Sequence, residues 1–219
     1  MLKSVIFDMD GVLVDSMRFQ ADAWITVFRE CGIAINRRDI YILEGSNNRG
    51  IIETIFKNAR KTPDPWHFEY LANKKREILD FENIVPFDGI QNCIGELKKD
   101  FKLATVSGSG RYMVEKVVNT FFSKCFKIII TGDDFKHGKP DPEPYIKALE
   151  KLCMNKDECI VVENSPMGIS AAKKAGLYCV AVATTLDSEE LEDADIIFKD
   201  HVALINYLSN LSVNNLNCK

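Results

Sequence analysis

The chain has 219 residues, of which 46% are apolar and 27% charged, so it can bury the core of one domain or of one domain with an insert. A net charge of −4 excludes a bulk electrostatic attraction to nucleic acid or to anionic membranes. No apolar run approaches the roughly 20 residues of a membrane span, and the N-terminus lacks a signal-peptide pattern. We therefore expect a cytoplasmic monomer or weak homodimer that acts on a small molecule.

The seven cysteines and three histidines lack the spacing of a metal site. No CxxC pair occurs, and the histidines lie far apart along the chain. The sequence therefore predicts free, buried thiols and no zinc centre.

Short β-branched or aliphatic runs alternate with helix-like segments along most of the chain. The predicted strands are SVIF (4–7), KLATV (102–106), KIIIT (127–131), CIVV (159–162), YCVAV (178–182) and DIIF (195–198). This alternation predicts an α/β fold with a Rossmann-like core, in which a parallel sheet has helices on both faces.

One region interrupts the alternation. From about Ser16 to Val85 the sequence shows no convincing strand, only helix-period patterns such as residues 19–31 and 67–79. Pro86 and Gly89 mark the return to the core, since proline and glycine punctuate secondary structure. We predict a catalytic core of residues 1–15 and 86–219 and an all-helical cap domain of residues 16–85, which closes as a lid and sets selectivity.

Polar side chains follow four of the predicted strands. They are Asp8 and Asp10 after the first strand, Ser107, Gly108 and Ser109 after the second, Lys139 after the third, and Glu163 and Asn164 after the fourth. Because ligands bind beyond the carboxyl ends of parallel strands, we expect these residues to share one site. Oxygen ligands can hold Mg²⁺, a lysine and backbone N–H groups can neutralise phosphate oxygens, and a carboxylate can attack phosphorus. The pattern predicts phosphoryl transfer.

The alternative interpretation of DMDG as a calcium loop fits the sequence less well. An EF-hand loop needs three acidic positions ahead of its glycine and a preceding helix, whereas an apolar strand leads into Asp8.

Four stretches resemble the ordered motifs of the haloacid dehalogenase-like superfamily. They are FDMDGVLVDS, VSGSG, HGKPDPEPY and VVENSPMGISAA. The position of the insert, GKPDP and ENSPMG are similar to the β-phosphoglucomutase-like and small-sugar-phosphatase branch. The resemblance implies a Mg²⁺-dependent phosphatase that hydrolyses a small phosphorylated metabolite, such as a sugar or polyol phosphate, through an aspartyl-phosphate intermediate.

The resemblance also implies roles for individual residues. Asp8 would be the nucleophile, Asp10 the general acid and then base, and Lys139 the cation that neutralises the nucleophile and the transferring group. The phosphate would bind at Gly11, Ser107, Gly108 and Ser109, and Mg²⁺ at Asp8, the backbone carbonyl of Asp10, Glu163 and Asn164. Asn164 stands where the family commonly has an acidic residue, so the site loses one negative charge and Glu163 becomes the expected main ligand from its strand.

Two departures from β-phosphoglucomutase favour a hydrolase over a mutase. Gln20 stands where the mutase has a histidine, and Gly110 stands where it has a second lysine. A phosphosugar mutase is the alternative function. A dehalogenase would have no use for a metal-binding Asp10, and a catalytically inactive binding protein would not need Asp8, Asp10 and Lys139.

The predicted cap supplies the candidate contacts for the leaving group. Arg49 is the first choice because it lies between Gly45 and Gly50 on a loop that could reach the substrate, and Gln20 and Lys75 are the next candidates. Arg18, Trp24 and Asn48 complete the set. The alternative for Arg49 is a solvated surface position, and the alternative for Trp24 is a place in the core. For Lys75, in NKKRE, the alternative is a position on a solvated charged face.

Overall fold

The computed structural model describes residues 1–211, which form nine α-helices and six β-strands. The strands are β1 (Ser4–Phe7), β2 (Lys102–Val106), β3 (Ile128–Ile130), β4 (Cys159–Glu163), β5 (Tyr178–Val182) and β6 (Ile196–Phe198). The helices are α1 (Met17–Glu30), α2 (Arg37–Tyr41), α3 (Asn48–Asn58), α4 (Pro65–Ile78), α5 (Ile90–Asp100), α6 (Arg111–Phe121), α7 (Glu143–Leu152), α8 (Pro166–Lys174) and α9 (His201–Ser209).

All six strands form one parallel sheet in the order β3-β2-β1-β4-β5-β6. Alternate residues of β1 point to opposite faces, so Val5 and Phe7 pack into one hydrophobic cluster and Ile6 into another. Helices α5, α6 and α9 cover the first face, and α7 and α8 cover the second. The predicted Rossmann-like α/β fold is confirmed, and each predicted strand lies within two residues of its observed position.

The register of the sheet brings three strand ends together. Phe7, the last residue of β1, pairs with Thr105 of β2 and with Val162 of β4. The residues that follow these positions therefore leave the sheet side by side, at the edge where ligands bind in such folds.

Helices α1 to α4 and their loops, residues 16–85, form what we call the helical insert. It has its own hydrophobic cluster, in which Trp24 stacks on Phe28 with ring centroids 5.2 Å apart. Its two ends meet, because the backbone N–H of Asp15 donates to the carbonyl of Val85 at 2.8 Å. Both connections thus return to the sheet edge beyond β1, while the domain boundaries and the lid motion stay predictions.

Two features outside the sheet bear on the earlier expectations. Of the six cysteines in the described part of the chain, all are free thiols, but Cys153 is exposed, which corrects the expectation that the thiols are buried. None of the helices described between residues 1 and 211 has the length and apolar character to cross a membrane.

Candidate active site

Lys139 joins the ends of three strands through one buried ammonium group. Its Nζ donates to Asp8 Oδ1 at 2.5 Å, to Glu163 Oε1 at 2.6 Å and to the carbonyl of Val106 at 3.2 Å. All three charged side chains are buried. A buried cation between two carboxylates with short hydrogen bonds is a rigid arrangement, since removing any one charge leaves the others unpaired.

Protein donors occupy the hydrogen-bond acceptor positions of the Glu163 carboxylate. Its Oε1 also accepts from the Tyr145 hydroxyl at 2.8 Å, and its Oε2 accepts from the backbone N–H groups of Asn164 and Ser165 and from Ser165 Oγ. Five hydrogen bonds leave no lone pair directed at a metal ion. The structure therefore corrects the expectation for Glu163, which positions Lys139 rather than serving as the main metal ligand of β4.

Burial and charge set the ionisation of this cluster. Burial raises the pKa of Asp8 well above its usual value, and the ammonium of Lys139 opposes that shift. Burial acts to lower the pKa of Lys139, but the carboxylates of Asp8 and Glu163 outweigh it and raise that pKa above its ordinary value. Burial also raises the pKa of Tyr145, so its hydroxyl stays protonated and donates to Glu163.

Two buried oxygens next to this cluster lack a donor. Asp8 Oδ2 and Asn164 Oδ1 have no hydrogen-bond partner within residues 1–211. Leaving a buried acceptor unpaired costs about 1–3 kcal/mol, and carboxylate and amide oxygens are ligands that Mg²⁺ accepts. The donor set of Asp8 and Asn164 therefore fits a magnesium ion. Among the described residues, no three His, Cys, Asp or Glu side chains form a metal-binding group, so a ligand set here needs amide or backbone oxygens.

Glu44 is a site residue that the sequence analysis missed. It lies in the loop between α2 and α3, is buried, and accepts from Asn164 Nδ2 at 2.7 Å. Burial raises the pKa of Glu44 well above its usual value, and the nearby charge of Asp8 raises it further. Its one signal in the sequence is an acidic residue in the apolar context of Ile42 and Leu43. The insert thus places the carboxyl group of Glu44 within hydrogen-bond distance of Asn164, the residue that departs from the family pattern.

The turn after β1 needs a glycine to leave room for the contact between Asn164 and Glu44. Gly11 has a φ of +81°, and a Cβ at this position would overlap the side chains of Asn164 and Glu44. Gly11 therefore lets the backbone pass close to the Asn164 amide and the Glu44 carboxyl group, and its predicted approach to a substrate phosphate stays a prediction.

Asp10 is held by donors from both parts of the chain. Its Oδ1 accepts from Ser16 Oγ at 2.6 Å and from Gln20 Nε2 at 2.9 Å, both in the helical insert. Its Oδ2 accepts from Ser109 Oγ at 2.8 Å and from Ser107 Oγ at 3.2 Å, both in the loop after β2. The orientation of Asp10 therefore depends on where the insert lies.

The loop after β2 also touches the insert through Gly108. A Cβ on this residue would overlap the carbonyl oxygens of Gly45 and Ser46, so only glycine fits here. The three residues Ser107, Gly108 and Ser109 come together beside Asp10, as the sequence predicts, and their proposed contact with phosphate stays a prediction.

A small cavity of about 40 Å³ lies between the sheet edge and the insert. Asp8 and Asp10 form its floor, and Gln20, Trp24 and Lys75 line the side of the insert. Of the predicted insert contacts, Gln20, Trp24, Asn48 and Lys75 thus line the site, whereas the guanidinium of Arg18 lies outside it, 4.6 Å from the centroid of the Phe19 ring.

The structure corrects the expectation for Arg49. Its side chain is 64% exposed, its Nε donates to Glu53 at 2.9 Å, and its guanidinium lies 4.4 Å from the centroid of the Phe68 ring. These contacts hold Arg49 on the outer surface of α3, because that helix turns its first residue, Asn48, toward the cavity instead. Arg49 therefore does not reach the leaving-group position in this arrangement.

Lys75 is buried on α4, which excludes the solvated-face alternative. The residue is 6% exposed, and its Nζ lies 5.7 Å from the centroid of the Trp24 ring. Within residues 1–211 it has no hydrogen-bond acceptor or ion-pair partner. Burial lowers the pKa of Lys75 to about 8, although the charge of Asp10 acts in the opposite direction.

Comparison with known proteins agrees with this geometry. A family model described as haloacid dehalogenase-like hydrolase matches residues 5–182. The chain belongs to the haloacid dehalogenase-like hydrolase family. The resemblance seen in the four motifs is therefore confirmed.

Several relatives of this family member are similar over most of its length. Validoxylamine A 7'-phosphate phosphatase of Streptomyces hygroscopicus subsp. limoneus is 31% identical over 203 residues, covering 91% of this chain and 94% of the relative. Glycerol-1-phosphate phosphohydrolase 1 of Saccharomyces cerevisiae is 29% identical, covering 93% and 84%. A solved structure titled putative beta-phosphoglucomutase from Bacteroides vulgatus is 29% identical with a TM-score of 0.88, covering 95% and 88%.

The burial of Lys75 leads to a prediction about stability. Replacing it by methionine removes a desolvated charge while keeping a side chain of similar length. At pH 7, Lys75→Met should raise the free energy of unfolding by on the order of 1 to 3 kcal/mol, measured by urea denaturation. Lys75 has a pKa of about 8 in the native state and a higher, ordinary pKa in the unfolded chain. The wild type therefore regains stability as the pH rises from 8 toward the pKa of the unfolded chain. The advantage of the variant should shrink over that range, and a destabilised variant would contradict the prediction.

Proposed function

We propose that this protein is a Mg²⁺-dependent phosphatase that hydrolyses a small phosphorylated metabolite through an aspartyl-phosphate intermediate. The observation that carries the proposal is the carboxylate of Asp8 at the end of β1. One of its oxygens is held by Lys139 and the other has no donor in the described part of the chain. The relatives named as phosphatases support the same reaction class.

The first chemical step uses Asp8 and Asp10. An oxygen of Asp8 forms a bond to phosphorus while the bond from phosphorus to the leaving oxygen breaks, and Asp10 gives its proton to that oxygen. In the second step water attacks phosphorus, Asp10 takes the proton from water, and the bond to Asp8 breaks to release phosphate. One carboxylate thus splits a difficult hydrolysis into two displacements, and the other moves the proton in both.

Lys139 keeps the nucleophile ionised and balances charge during transfer. Burial would otherwise favour the neutral form of Asp8, so the ammonium at 2.5 Å supports attack. Glu163 and Tyr145 hold the ammonium group in place and are positioning residues. Asp10, which transfers the proton, is also held by neighbouring residues, because Ser16 and Gln20 of the insert donate hydrogen bonds to it.

The proposed metal site combines Asp8, the backbone carbonyl of Asp10 and Asn164. Magnesium bound there would offset the repulsion between a substrate phosphate and the two aspartates. Asn164 brings an oxygen but no charge, and Glu44 lies against it at 2.7 Å. Burial and Asp8 favour the protonated form of Glu44, but a bound Mg²⁺ would favour its carboxylate. We propose that Glu44 then supplies the negative charge that the family usually carries at position 164, so the helical insert contributes to metal attraction.

The helical insert is proposed to act as a lid, and the protein to act in the cytoplasm as a monomer or weak homodimer. The support for a lid is that both insert connections meet beside β1 and that the insert contacts Asp10, Gly108 and Asn164. Movement of the insert would change all three contacts at once.

A phosphosugar mutase is the second candidate, favoured by the similarity to the putative beta-phosphoglucomutase from Bacteroides vulgatus. The side chain of Gln20 is a neutral amide that cannot carry a proton, which favours transfer to water. Release of inorganic phosphate from the substrate separates the two functions, because a mutase returns the phosphoryl group to sugar.

The nucleophile assignment predicts that Asp8→Asn abolishes turnover. With p-nitrophenyl phosphate and Mg²⁺, kcat should fall by roughly 10³-fold or more, because the amide cannot form the phosphoryl ester. The matched control is Asp157→Asn, which removes an exposed carboxylate. Circular dichroism should show both variants folded. A near wild-type rate for Asp8→Asn would reject the assignment.

The proposed role of Glu44 predicts the outcome of a charge exchange. Glu44→Gln should weaken Mg²⁺ binding by about tenfold, measured by titration calorimetry without substrate and as the Mg²⁺ concentration for half activity. Asn164→Asp alone adds a charge and should lower that concentration. The double variant should bind Mg²⁺ nearly as the wild type does, because the hydrogen bond reverses direction and the total charge is kept.

The control for this series is Glu53→Gln, which removes an exposed carboxylate from the same insert. It should leave Mg²⁺ affinity unchanged. If Glu44→Gln also leaves the affinity unchanged, Glu44 has no part in metal attraction.

A further inference from the structure

The small cavity above Asp8 and Asp10 is lined by a cation that has no hydrogen-bond acceptor and no ion-pair partner within residues 1–211. Lys75 is the single cationic residue that lines it in the described part of the chain. The acidic residues around the cavity form no ion pair with Lys75, although the charge of Asp10 acts on it from a distance. Asp10 already accepts four hydrogen bonds, Asp8 pairs with Lys139, and Glu44 accepts from Asn164.

Burying an unpaired ammonium group is unfavourable, so a folded protein that does so keeps it for a ligand or a reaction. The lowered pKa of Lys75, about 8, reflects that cost. The ring of Trp24 at 5.7 Å gives the cation a weak electrostatic partner and leaves its hydrogen-bond donors free. An anionic group beside Lys75 would satisfy these donors and remove the penalty.

The size of the cavity disfavours a large leaving group. Its free volume is only about 40 Å³, and Met17, Trp24, Ile40 and Ile51 form its apolar wall. Polar groups such as Gln20 and Asn48 also line it, so its size limits the leaving group more than its polarity does. A compact group with one charged end meets the available chemistry better.

Lys75 also lies where a substrate can reach it. A larger cleft of about 650 Å³ between α4 and the start of α6 shares Lys75 and Asn48 with the inner cavity. The ammonium group therefore stands at the boundary between the outer cleft and the catalytic carboxylates.

We propose that the leaving group of the substrate is small and carries its own negative charge, a carboxylate or a second phosphate, which pairs with Lys75 beneath the helical insert. This inference rests on the proposed phosphatase function and names its substrate class. Lys75 then binds the leaving group, while Lys139 serves the transferring phosphoryl group. The core supplies the chemistry, and one buried lysine of the insert selects acidic substrates.

The test compares substrates matched in size that differ in charge. The acidic members are 2-phosphoglycolate, 3-phosphoglycerate and inorganic pyrophosphate, and the neutral counterparts of the first two are 2-hydroxyethyl phosphate and glycerol 1-phosphate. For the full chain with Mg²⁺, kcat/KM should be at least about tenfold higher for an acidic member than for its neutral counterpart. Pyrophosphate against phosphoglycolate then distinguishes a second phosphate from a carboxylate.

Lys75→Met should remove this preference. Its loss in kcat/KM should be at least about tenfold greater for the acidic member of a pair than for the neutral one, chiefly through KM. The control is Lys74→Met, which removes the neighbouring lysine, a partly exposed residue paired with Glu30. The control should keep the wild-type preference.

The outcomes separate this inference from the proposed function. Equal kcat/KM values for the two members of each pair would overturn the role of Lys75, as would equal losses of kcat/KM for both members in Lys75→Met. Either result would leave the proposed phosphatase function intact. A wild-type protein that releases phosphate from none of these compounds, nor from p-nitrophenyl phosphate, would overturn the proposed function and the inference together.

Discussion

The site depends on one buried ion-pair cluster, in which Lys139 holds Asp8 and Glu163 at the meeting point of β1, β2 and β4. A lysine this deep in the protein is stable only because both carboxylates surround it. The same contacts fix the proposed nucleophile, while Tyr145, Asn164 and Ser165 occupy the rest of the Glu163 carboxylate. Within residues 1–211, one oxygen of Asp8 and one of Asn164 have no donor, and these two oxygens are the basis of the proposed metal site.

The helical insert is coupled to that cluster through hydrogen bonds rather than through apolar packing alone. Gln20 and Ser16 hold Asp10, and Glu44 holds Asn164, so the insert touches both the proton-transfer group and the proposed metal ligand. A site assembled from two parts of the chain in this way is complete when the insert lies over the sheet edge. Under the proposed function, closure of the insert over the substrate and attraction of the metal ion are therefore parts of one equilibrium.

The fold and the core of the site were predictable because they follow from local patterns. Strand-length apolar runs predict the parallel sheet, and polar residues directly after them must gather at its carboxyl edge, as Asp8 and Ser107 do. The insert contacts were not predictable in the same way. Arg49 and Asn48 are neighbours in sequence, but the turn of α3 alone decides which one faces the cavity, and Glu44 reaches Asn164 through a contact 120 residues apart. Such long-range contacts leave no periodic signal.

The account stands on Asp8 as the group that becomes phosphorylated. The most direct measurement is acid quenching of the Asp10→Asn variant during reaction with phosphoglycolate or p-nitrophenyl phosphate and Mg²⁺, followed by peptide mass spectrometry. This variant lacks the base for the second step, so the intermediate should accumulate. The account predicts one phosphoryl group on the peptide that contains Asp8, absent when Asp8 is also replaced by asparagine. Phosphate release with no phosphorylated peptide, or with the group on another residue, would contradict it.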